Sequence, residues 1–176
     1  YAQLQDELAA RSHRERMVAQ LAERLELATR AAKIGIWDWD IENSKLIWDD
    51  RMYELYGLRA EDCTGAYSAW IRGVHPDDRI SSYEISGQAV GGECEYDTEF
   101  RVLWPDGSVH WLKANGQVFR DSLGEPLRMV GVNYDISERK AAEEVLRQSA
   151  AELAEAQRVA KIGNWTFDRS EERRVG

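Results

Sequence analysis

One sixteen-residue segment of this chain occurs twice, 128 positions apart, and this repeat sets the size of the unit that the chain can fold into. Residues 25–40 and 153–168 align without gaps and are identical at nine of the sixteen positions, including an Ala-Lys-Ile-Gly run that begins at Ala32 and again at Ala160. Solenoid repeats have periods of roughly 20–50 residues. The longer period therefore predicts one complete domain followed by the beginning of a second.

A helical pattern leads into each copy of the repeat. The first apolar stripe, with spacings of three and four residues, consists of Val18, Leu21, Leu25, Ala28 and Ala32. The second, at the same spacing, consists of Leu146, Ser149, Leu153, Ala156 and Ala160. Neither stretch contains Pro or Gly, so both favour helix. Such a stripe needs a partner, which is either the helix's own domain or the same helix of a second copy in a parallel coiled coil.

Charge and apolar content exclude several function classes. The 176 residues carry a net charge of −9, and a surface of that sign repels the phosphates of nucleic acids. The longest apolar runs are a few residues, whereas a membrane span needs about 20. The N-terminal region is charged throughout and lacks the apolar stretch of a signal peptide. We therefore expect a cytoplasmic protein without nucleic-acid or membrane contacts.

Chemistry-bearing residues are sparse. Cys63 and Cys94 either form a disulfide or, as is more common in an acidic chain of this kind, stay reduced. The histidines, His13, His75 and His110, are too scattered for a zinc site. The chain has no glycine-rich phosphate loop and no Gly-x-Ser-x-Gly motif. The sequence predicts no catalytic residues, no metal site and no enzymatic activity for this chain.

Between the helical stripes, the pattern alternates between short strands and short helices. Strands are predicted at 36–40, 45–48, 95–103, 108–120 and 127–136, and helices at 49–56, 68–74 and 75–90. Proline and glycine in Trp104-Pro-Asp-Gly107 indicate a turn between two of the strands. Antiparallel strands in sequence with short helices between them predict an α+β domain.

Five motifs in this order resemble the PAS family, in the subtype whose last strands carry a PAC motif. They are Gly35-Ile-Trp-Asp-Trp-Asp40, Tyr53-Glu-Leu-Tyr-Gly57, Val74-His-Pro-Asp-Asp-Arg79, the segment Phe100 to Trp111, and Gly131-Val-Asn-Tyr-Asp-Ile-Ser-Glu-Arg-Lys140. The resemblance covers residues 25–140 and restarts at 153–168. It implies a five-stranded antiparallel sheet in the order 2-1-5-4-3 with helices on one face. It also implies a sensory or dimerising role before an output domain, commonly a histidine kinase or a diguanylate cyclase.

These patterns divide the chain into four parts. We predict a linker helix at 1–31, a PAS/PAC domain at 32–137, a linker helix at 138–160, and the start of a second, truncated PAS domain at 161–176. The chain starts at Tyr1, and residues 169–176 are highly charged where a strand is expected. We therefore expect a piece of a longer protein whose last residues are not native.

The resemblance assigns signal coupling to Asp135, Ile136 and Ser137, where the last strand meets the outgoing helix. A structural explanation also exists, because Ser137 suits an N-cap and Glu138 places negative charge in the first turn.

Aromatic residues on alternating strand positions are candidates for the lining of a ligand cavity. They are Trp37, Trp39, Trp48, Tyr96, Phe100, Trp111 and Tyr134. Ordinary core packing explains the same pattern, and the residues name no ligand. The question of whether an unknown small ligand binds therefore stays open.

Two cofactors known from PAS domains are not expected here. His75 precedes its helix, where a capping role is predicted, and the helix from Asp77 to Val90 contains no histidine for haem. Neither cysteine lies in an Asn-Cys-Arg-Phe-type run, the motif of flavin photosensors. We predict neither haem nor a covalent flavin.

The predicted function is a sensory or dimerising PAS module that relays a signal through helical linkers to an output domain outside this chain. The linker helices would pair two copies as a homodimer. The alternative is a passive dimerisation or spacer domain with no ligand.

Overall fold

The computed structural model describes the backbone of residues 2–167 and the side chains of residues 7–160. The described elements are α1 (Ala2–Ala31), β1 (Gly35–Asp40), β2 (Lys45–Trp48), α2 (Asp50–Leu55), α3 (Ala66–Gly73), α4 (Arg79–Gly91), β3 (Tyr96–Leu103), β4 (Val109–Arg120), β5 (Pro126–Asp135) and α5 (Ser137–Phe167). Short 3-10 helices occur at Ala60–Asp62 and Pro76–Asp78.

The strands form one antiparallel sheet in the order β2-β1-β5-β4-β3. Strand β5 lies at the centre and pairs with both β1 and β4. Trp37 of β1 faces Trp48 on one side and Gly131 on the other. The predicted α+β fold and the strand order implied by the resemblance are both confirmed.

The core lies between one face of the sheet and the helices α2, α3 and α4. Met52 and Leu55 of α2 and its C-cap residue Tyr56 are buried against this face, as are Leu112 and Ala114 of β4. Because neighbouring strand residues point to opposite sides, the residues between these buried positions lie on the outer face of the sheet.

Asp49 fixes the start of α2 against the first strand. Its carboxylate accepts from the backbone N–H of Met52 at 2.8 Å, which caps the helix, and from the backbone N–H of Ile36 at 2.9 Å. The helix ends before Gly57, which has a φ of 67° and follows the C-cap Tyr56. One acidic side chain therefore joins a strand and a helix that are separate in the sequence.

The segment beginning at His75 starts the α4 region, as predicted. His75 Nδ1 accepts from the backbone N–H of Asp77 at 3.3 Å, and Pro76 follows in the first turn. The Asp78 carboxylate accepts from Arg101 through the backbone N–H at 2.8 Å, Nε at 2.9 Å and Nη2 at 2.6 Å. These bonds hold the pKa of Asp78 below its usual value and tie the start of α4 to β3.

The chain divides into two compact units, Tyr1–Ile136 and Ser137–Gly176. In the first, the apolar stripe of α1 is exposed, including Leu21 and Leu25; in the second, Leu146 and Leu153 of α5 are exposed. No helix among the described residues combines the length and apolar character that crossing a membrane requires.

The predicted second PAS domain at 161–176 stays a prediction. Helix α5 runs through Phe167, into the first residues of this segment. Residues 168–176, which include the segment expected to be non-native, lie outside the described part of the chain.

Candidate functional site

A cavity of about 290 Å³ lies between the sheet and the helices. Its strand residues are Trp37, Trp39, Leu46, Trp48, Tyr96, Phe100, Met129 and Asn133. The residues from the helices and from the C-cap of α2 are Met52, Tyr56, Tyr67, Trp70, Tyr83, Ser86 and Gly87. Nine of these fifteen residues are aromatic, so the walls are mainly flat rings.

Five of the seven aromatic residues predicted from the sequence as candidates belong to this lining: Trp37, Trp39, Trp48, Tyr96 and Phe100. They come from three strands, β1, β2 and β3, which lie across the sheet from edge to edge. The structure therefore brings these five together around one space.

The prediction for Trp111 and Tyr134 needs correction, because both alternate with residues that point inward. Leu112, next to Trp111, is fully buried in the core, and Asn133, next to Tyr134, lines the cavity. The Arg101 guanidinium lies 5.7 Å from the ring centroid of Trp111. Trp111 and Tyr134 therefore lie on the outer face of the sheet and do not line the cavity.

The floor of the cavity is a tryptophan that rests on two glycines. Gly116 of β4 and Gly131 of β5 face each other across the strands, and the Trp37 indole lies over both. A Cβ at Gly131 would be 2.2 Å from Trp37 Cζ2, so a side chain at this position would displace the ring. Trp37 Nε1 donates to Asn133 Oδ1 at 2.8 Å, which fixes the ring's orientation.

Tyr56 lines the cavity, but its hydroxyl has almost no accessible surface and does not open into the space. Within residues 7–160 it is the one buried side-chain polar atom without a hydrogen-bond partner. Its ring packs on Trp48 with 4.6 Å between centroids, and Gly73 provides the space beside it. Burial raises the pKa of Tyr56 well above its usual value and that of Tyr96 to about 12. Both hydroxyls are therefore protonated at neutral pH.

The lining is open on the side of α3 and α4. Tyr67 is 48% exposed and Tyr83 is 44% exposed, although both line the cavity. Trp70 lies between them, 5.9 Å from Tyr67 and 5.0 Å from Tyr83 by ring centroids. A Cβ at Gly87 would meet no atom within 4 Å. These residues form the mouth of the cavity.

The cavity has polar groups but no formal charge. None of its described lining residues is acidic or basic, and none is a histidine or a cysteine. In the part of the chain that the structure describes, no cluster of acidic, histidine and cysteine side chains could hold a metal ion. The arrangement can enclose an apolar molecule and form a few neutral hydrogen bonds.

The coupling segment lies where β5 ends. Asp135 is the last residue of β5 and its carboxylate is 3.5 Å from His110 Nδ1. Ile136 is buried and its N–H donates to the Trp111 carbonyl at 2.8 Å. Ser137 is the first residue of α5, one position beyond the capping position predicted for it.

A stacked pair of rings connects Asp135 with α2. The His110 ring stacks on Trp104 at 3.9 Å between centroids and 19° between planes. Trp104 Nε1 donates to the Leu55 carbonyl at 3.0 Å. The sequence pattern gives no sign that His110 and Trp104 belong to this segment; the β4–β5 pairing, which sets Leu112 opposite Asp135, provides the proximity.

A comparison with family models decides the identity of the fold. Residues 45–133 match the model described as the PAS fold. This chain belongs to the PAS family. The first repeat unit is therefore a PAS domain, as the motifs indicated.

The PAS domain is similar to parts of longer signalling proteins. It is 32% identical over 139 residues to the probable diguanylate cyclase DgcE of Escherichia coli, over 79% of this chain and 12% of that protein. It is 29% identical over 123 residues to the sensor protein FixL of Bradyrhizobium diazoefficiens, over 68% of this chain and 24% of that protein. The chain thus spans at most a quarter of either relative.

A solved structure shows the same PAS architecture. It is a sensory box histidine kinase/response regulator from Burkholderia thailandensis, with a TM-score of 0.65 and 30% identity, covering 75% of this chain and 98% of that one. The relatives support a sensory or regulatory module, and PAS domains generally have no catalytic role.

Proposed function

We propose that this PAS domain senses a small molecule in its aromatic cavity and relays occupancy through β5 and Asp135–Ser137 to an output domain outside this chain. The similarity to a diguanylate cyclase and to sensor proteins supports an output of either kind. The chain itself is a non-catalytic module in this proposal.

The cavity is the observation that carries the proposal. Protein interiors are normally close-packed, with few voids larger than a water molecule. A spacer domain gains nothing from about 290 Å³ of unfilled space lined by Trp48 and Tyr56.

The position of Trp37 supports a route from the cavity to the last strand. Its indole lies over Gly131, without an intervening side chain, and bonds to Asn133 in the same strand. An occupant that pushes on Trp37 therefore pushes on the backbone of β5. Strand β5 ends at Asp135, next to the start of α5.

Pairing of two copies through the linker helices is part of the proposal. Leu21 and Leu25 of α1, and Leu146 and Leu153 of α5, are exposed on apolar stripes. Burying such stripes against a second copy is the usual basis of a coiled coil. Sedimentation equilibrium should then give twice the mass of the chain. A monomer at all concentrations would contradict the proposed pairing of two copies.

The sensing proposal is tested by thermal unfolding of the purified chain with a panel of small metabolites. Ser86→Trp would fill the cavity from α4, and Glu84→Trp is the matched control at an exposed site on the same helix. We expect at least one compound to raise the midpoint of the original chain and of Glu84→Trp, but not of Ser86→Trp. Stabilisation that survives Ser86→Trp would place binding elsewhere.

The passive spacer is the second candidate, favoured by the exposed stripes alone. It predicts a dimer whose unfolding responds to no compound.

An absorption spectrum before and after denaturation tests whether the ligand is a chromophore. The described lining residues include no histidine to ligate haem and no cysteine to bind a flavin covalently, so the proposed ligand is neither of these chromophores. Bands above about 300 nm that change on unfolding would contradict this, since aromatic side chains absorb at shorter wavelengths.

A further inference from the structure

We infer that the cavity takes a neutral, mainly apolar molecule of about twelve to fifteen non-hydrogen atoms, whose carbonyl oxygen accepts a hydrogen bond from the side-chain amide of Asn133. The inference rests on the proposed function and specifies the chemistry of its ligand. The anchor lies in β5, the strand to which the proposed function assigns the relay of the signal.

Asn133 provides a buried donor that opens into the cavity. The residue is 3% exposed and belongs to the lining. The Trp37 indole can only donate, so the atom that meets it at 2.8 Å is the Asn133 side-chain oxygen. Within residues 7–160, the amide nitrogen Nδ2 has no hydrogen-bond partner, and only the Tyr56 hydroxyl is both unpartnered and fully enclosed. Nδ2 therefore keeps accessible surface, which opens into the cavity because Asn133 lines it.

The other polar groups of the lining also favour a ligand that accepts. The indole nitrogens of Trp48 and Trp70 only donate, whereas tyrosine and serine hydroxyls do both. The Asn133 oxygen is already engaged by Trp37, and the described lining includes no other side-chain amide and no carboxylate. A ligand N–H would find only hydroxyls and weakly accepting thioethers. A carbonyl oxygen finds donors on the strands and on the helices.

The absence of charge in the lining requires a neutral ligand. No acidic or basic side chain is among the described lining residues. An ion transferred into such a space loses its hydration without gaining a counter-charge, which strongly disfavours binding. Aromatic faces attract cations, but the described lining provides no carboxylate to complete a cation site.

The volume sets the size of the ligand. At about 290 Å³ the cavity is close to twice the roughly 150 Å³ that encloses one benzene molecule in an apolar protein core. It therefore has space for at least twice the six carbon atoms of benzene. It also lies at the lower end of the range of ligand pockets, roughly 300–1,000 Å³, so a drug-sized molecule would not be enclosed.

The test is isothermal titration of the purified chain with three compounds that share a saturated tricyclic cage and have equal numbers of non-hydrogen atoms. Acetyladamantane has a carbonyl oxygen, isopropenyladamantane has a methylene group in its place, and adamantanecarboxylate has a second oxygen and a negative charge. We expect the ketone to bind about five to ten times more tightly than the alkene, because the alkene leaves the buried donor unpaired. We expect the carboxylate to bind at least about tenfold more weakly than the ketone.

Asn133→Asp separates the anchor from the shape of the cavity. It keeps an oxygen for Trp37 Nε1 and replaces the amide nitrogen with a second oxygen, which repels the ligand carbonyl. The ketone and the alkene should then bind within about twofold of each other. Asn115→Asp is the matched control, because it makes the same change on the outer face of β4, opposite Val132. It should keep the preference for the ketone.

The cavity variants locate the binding independently of Asn133. Ser86→Trp should abolish binding of the ketone, and Glu84→Trp should leave it unchanged. If thermal unfolding shows that Asn133→Asp does not fold, these two variants and the three compounds on the original chain decide the inference.

Each contrary result has a specific meaning. Equal or tighter binding of the alkene to the original chain overturns the carbonyl anchor, and a preference for the ketone that survives in a folded Asn133→Asp variant overturns the role of Asn133. Equal or tighter binding of the carboxylate overturns the neutral class. If none of the three binds, while another compound still stabilises Glu84→Trp but not Ser86→Trp, this inference fails and the sensing proposal stands. If no compound of any kind stabilises the chain, both fail.

Discussion

Replacing Gly131 by alanine should destabilise this domain more than any other single methyl group added to its sheet. The new Cβ would lie 2.2 Å from Trp37 Cζ2 and 2.4 Å from the Asn115 carbonyl oxygen. Ordinary contacts of a Cβ begin near 3.4 Å. The tryptophan ring or the neighbouring strand must therefore move by about 1 Å.

The expected cost follows from the nature of these two contacts. Overpacking a core costs about 1–3 kcal/mol, and more when the backbone must shift. Gly131 does not have a positive φ, so alanine is sterically, not conformationally, disfavoured. Loss of glycine flexibility in the unfolded chain returns about 0.4–1 kcal/mol. We expect a net loss of about 2 kcal/mol, near the upper end of this range, because one of the two contacts is with the backbone.

Urea unfolding followed by tryptophan fluorescence measures this loss. With a slope of about 1–3 kcal/mol per molar urea, the midpoint should fall by roughly 0.7–2 M. Gly116→Ala is the matched control on the opposite strand. Its Cβ would be 2.8 Å from Trp37 and 3.2 Å from Tyr96, and both contacts are side-chain atoms that can yield. It should cost about 1 kcal/mol.

A second substitution separates the cost of the clash with the Trp37 ring from the cost of the clash with the Asn115 backbone. In a Trp37→Leu background, Gly116→Ala should become nearly neutral, because its main obstacle is gone. Gly131→Ala should still be costly, because the Asn115 carbonyl remains. If Gly131→Ala costs less than about 0.5 kcal/mol, or if Trp37→Leu rescues it completely, the steric argument is refuted.

Three further predictions concern acidic residues. The pKa of Asp78 is lowered by its hydrogen bonds from Arg101, so its stabilisation is present above pH ~4 and lost as the pH falls through the lowered value. Asp78→Asn should therefore cost about 2 kcal/mol at pH 7 and far less at pH 2, by urea unfolding; an equal cost at both pH values would contradict this. Asp49→Ala removes the cap of α2 and the acceptor for the Ile36 N–H, and should lower the unfolding free energy by about 2 kcal/mol. Asp135→Ala should still unfold cooperatively, with a loss of about 1 kcal/mol from its missing contacts, but should abolish the ligand-dependent change in amide exchange at the start of α5; a variant that does not unfold cooperatively would instead make this residue structural.

The strands could be predicted from sequence because their ends are chemically marked. The turns before β4 and β5 contain Gly107 and Gly124, which have φ values of 86° and 88°. Between such turns, alternation of apolar and polar residues locates a strand to within a residue or two. The predicted strand at 45–48 coincides with β2, and the prediction for β1 starts one residue late.

Which side chains of β4 and β5 point into the core was less predictable from the sequence. Trp111 and Leu112 are adjacent and both apolar, so alternation alone permits either to point inward. Asn133 is buried although it is polar, because it accepts from the Trp37 indole. Only the cross-strand partner explains this position, and the partner is 96 residues away in sequence.

Which helix residues line the cavity depends on how the helices pack against the sheet. Tyr67 and Trp70 are three residues apart in α3, a spacing that puts them on one side of a helix. That spacing does not say which strand or helix they will face. The pairing of His110 with Asp135 is hidden for the same reason, since β4 and β5 must first align.

The central position of β5 has a consequence for how the chain is made. This strand is synthesised after the other four, yet both β1 and β4 hydrogen-bond to it. Until residues 126–135 emerge from the ribosome, β1 and β4 each present an unpaired edge, and such edges readily pair with other chains. A nascent or truncated chain ending before Pro126 is therefore exposed to aggregation. In a tandem array, each copy becomes protected only when its own last strand is complete.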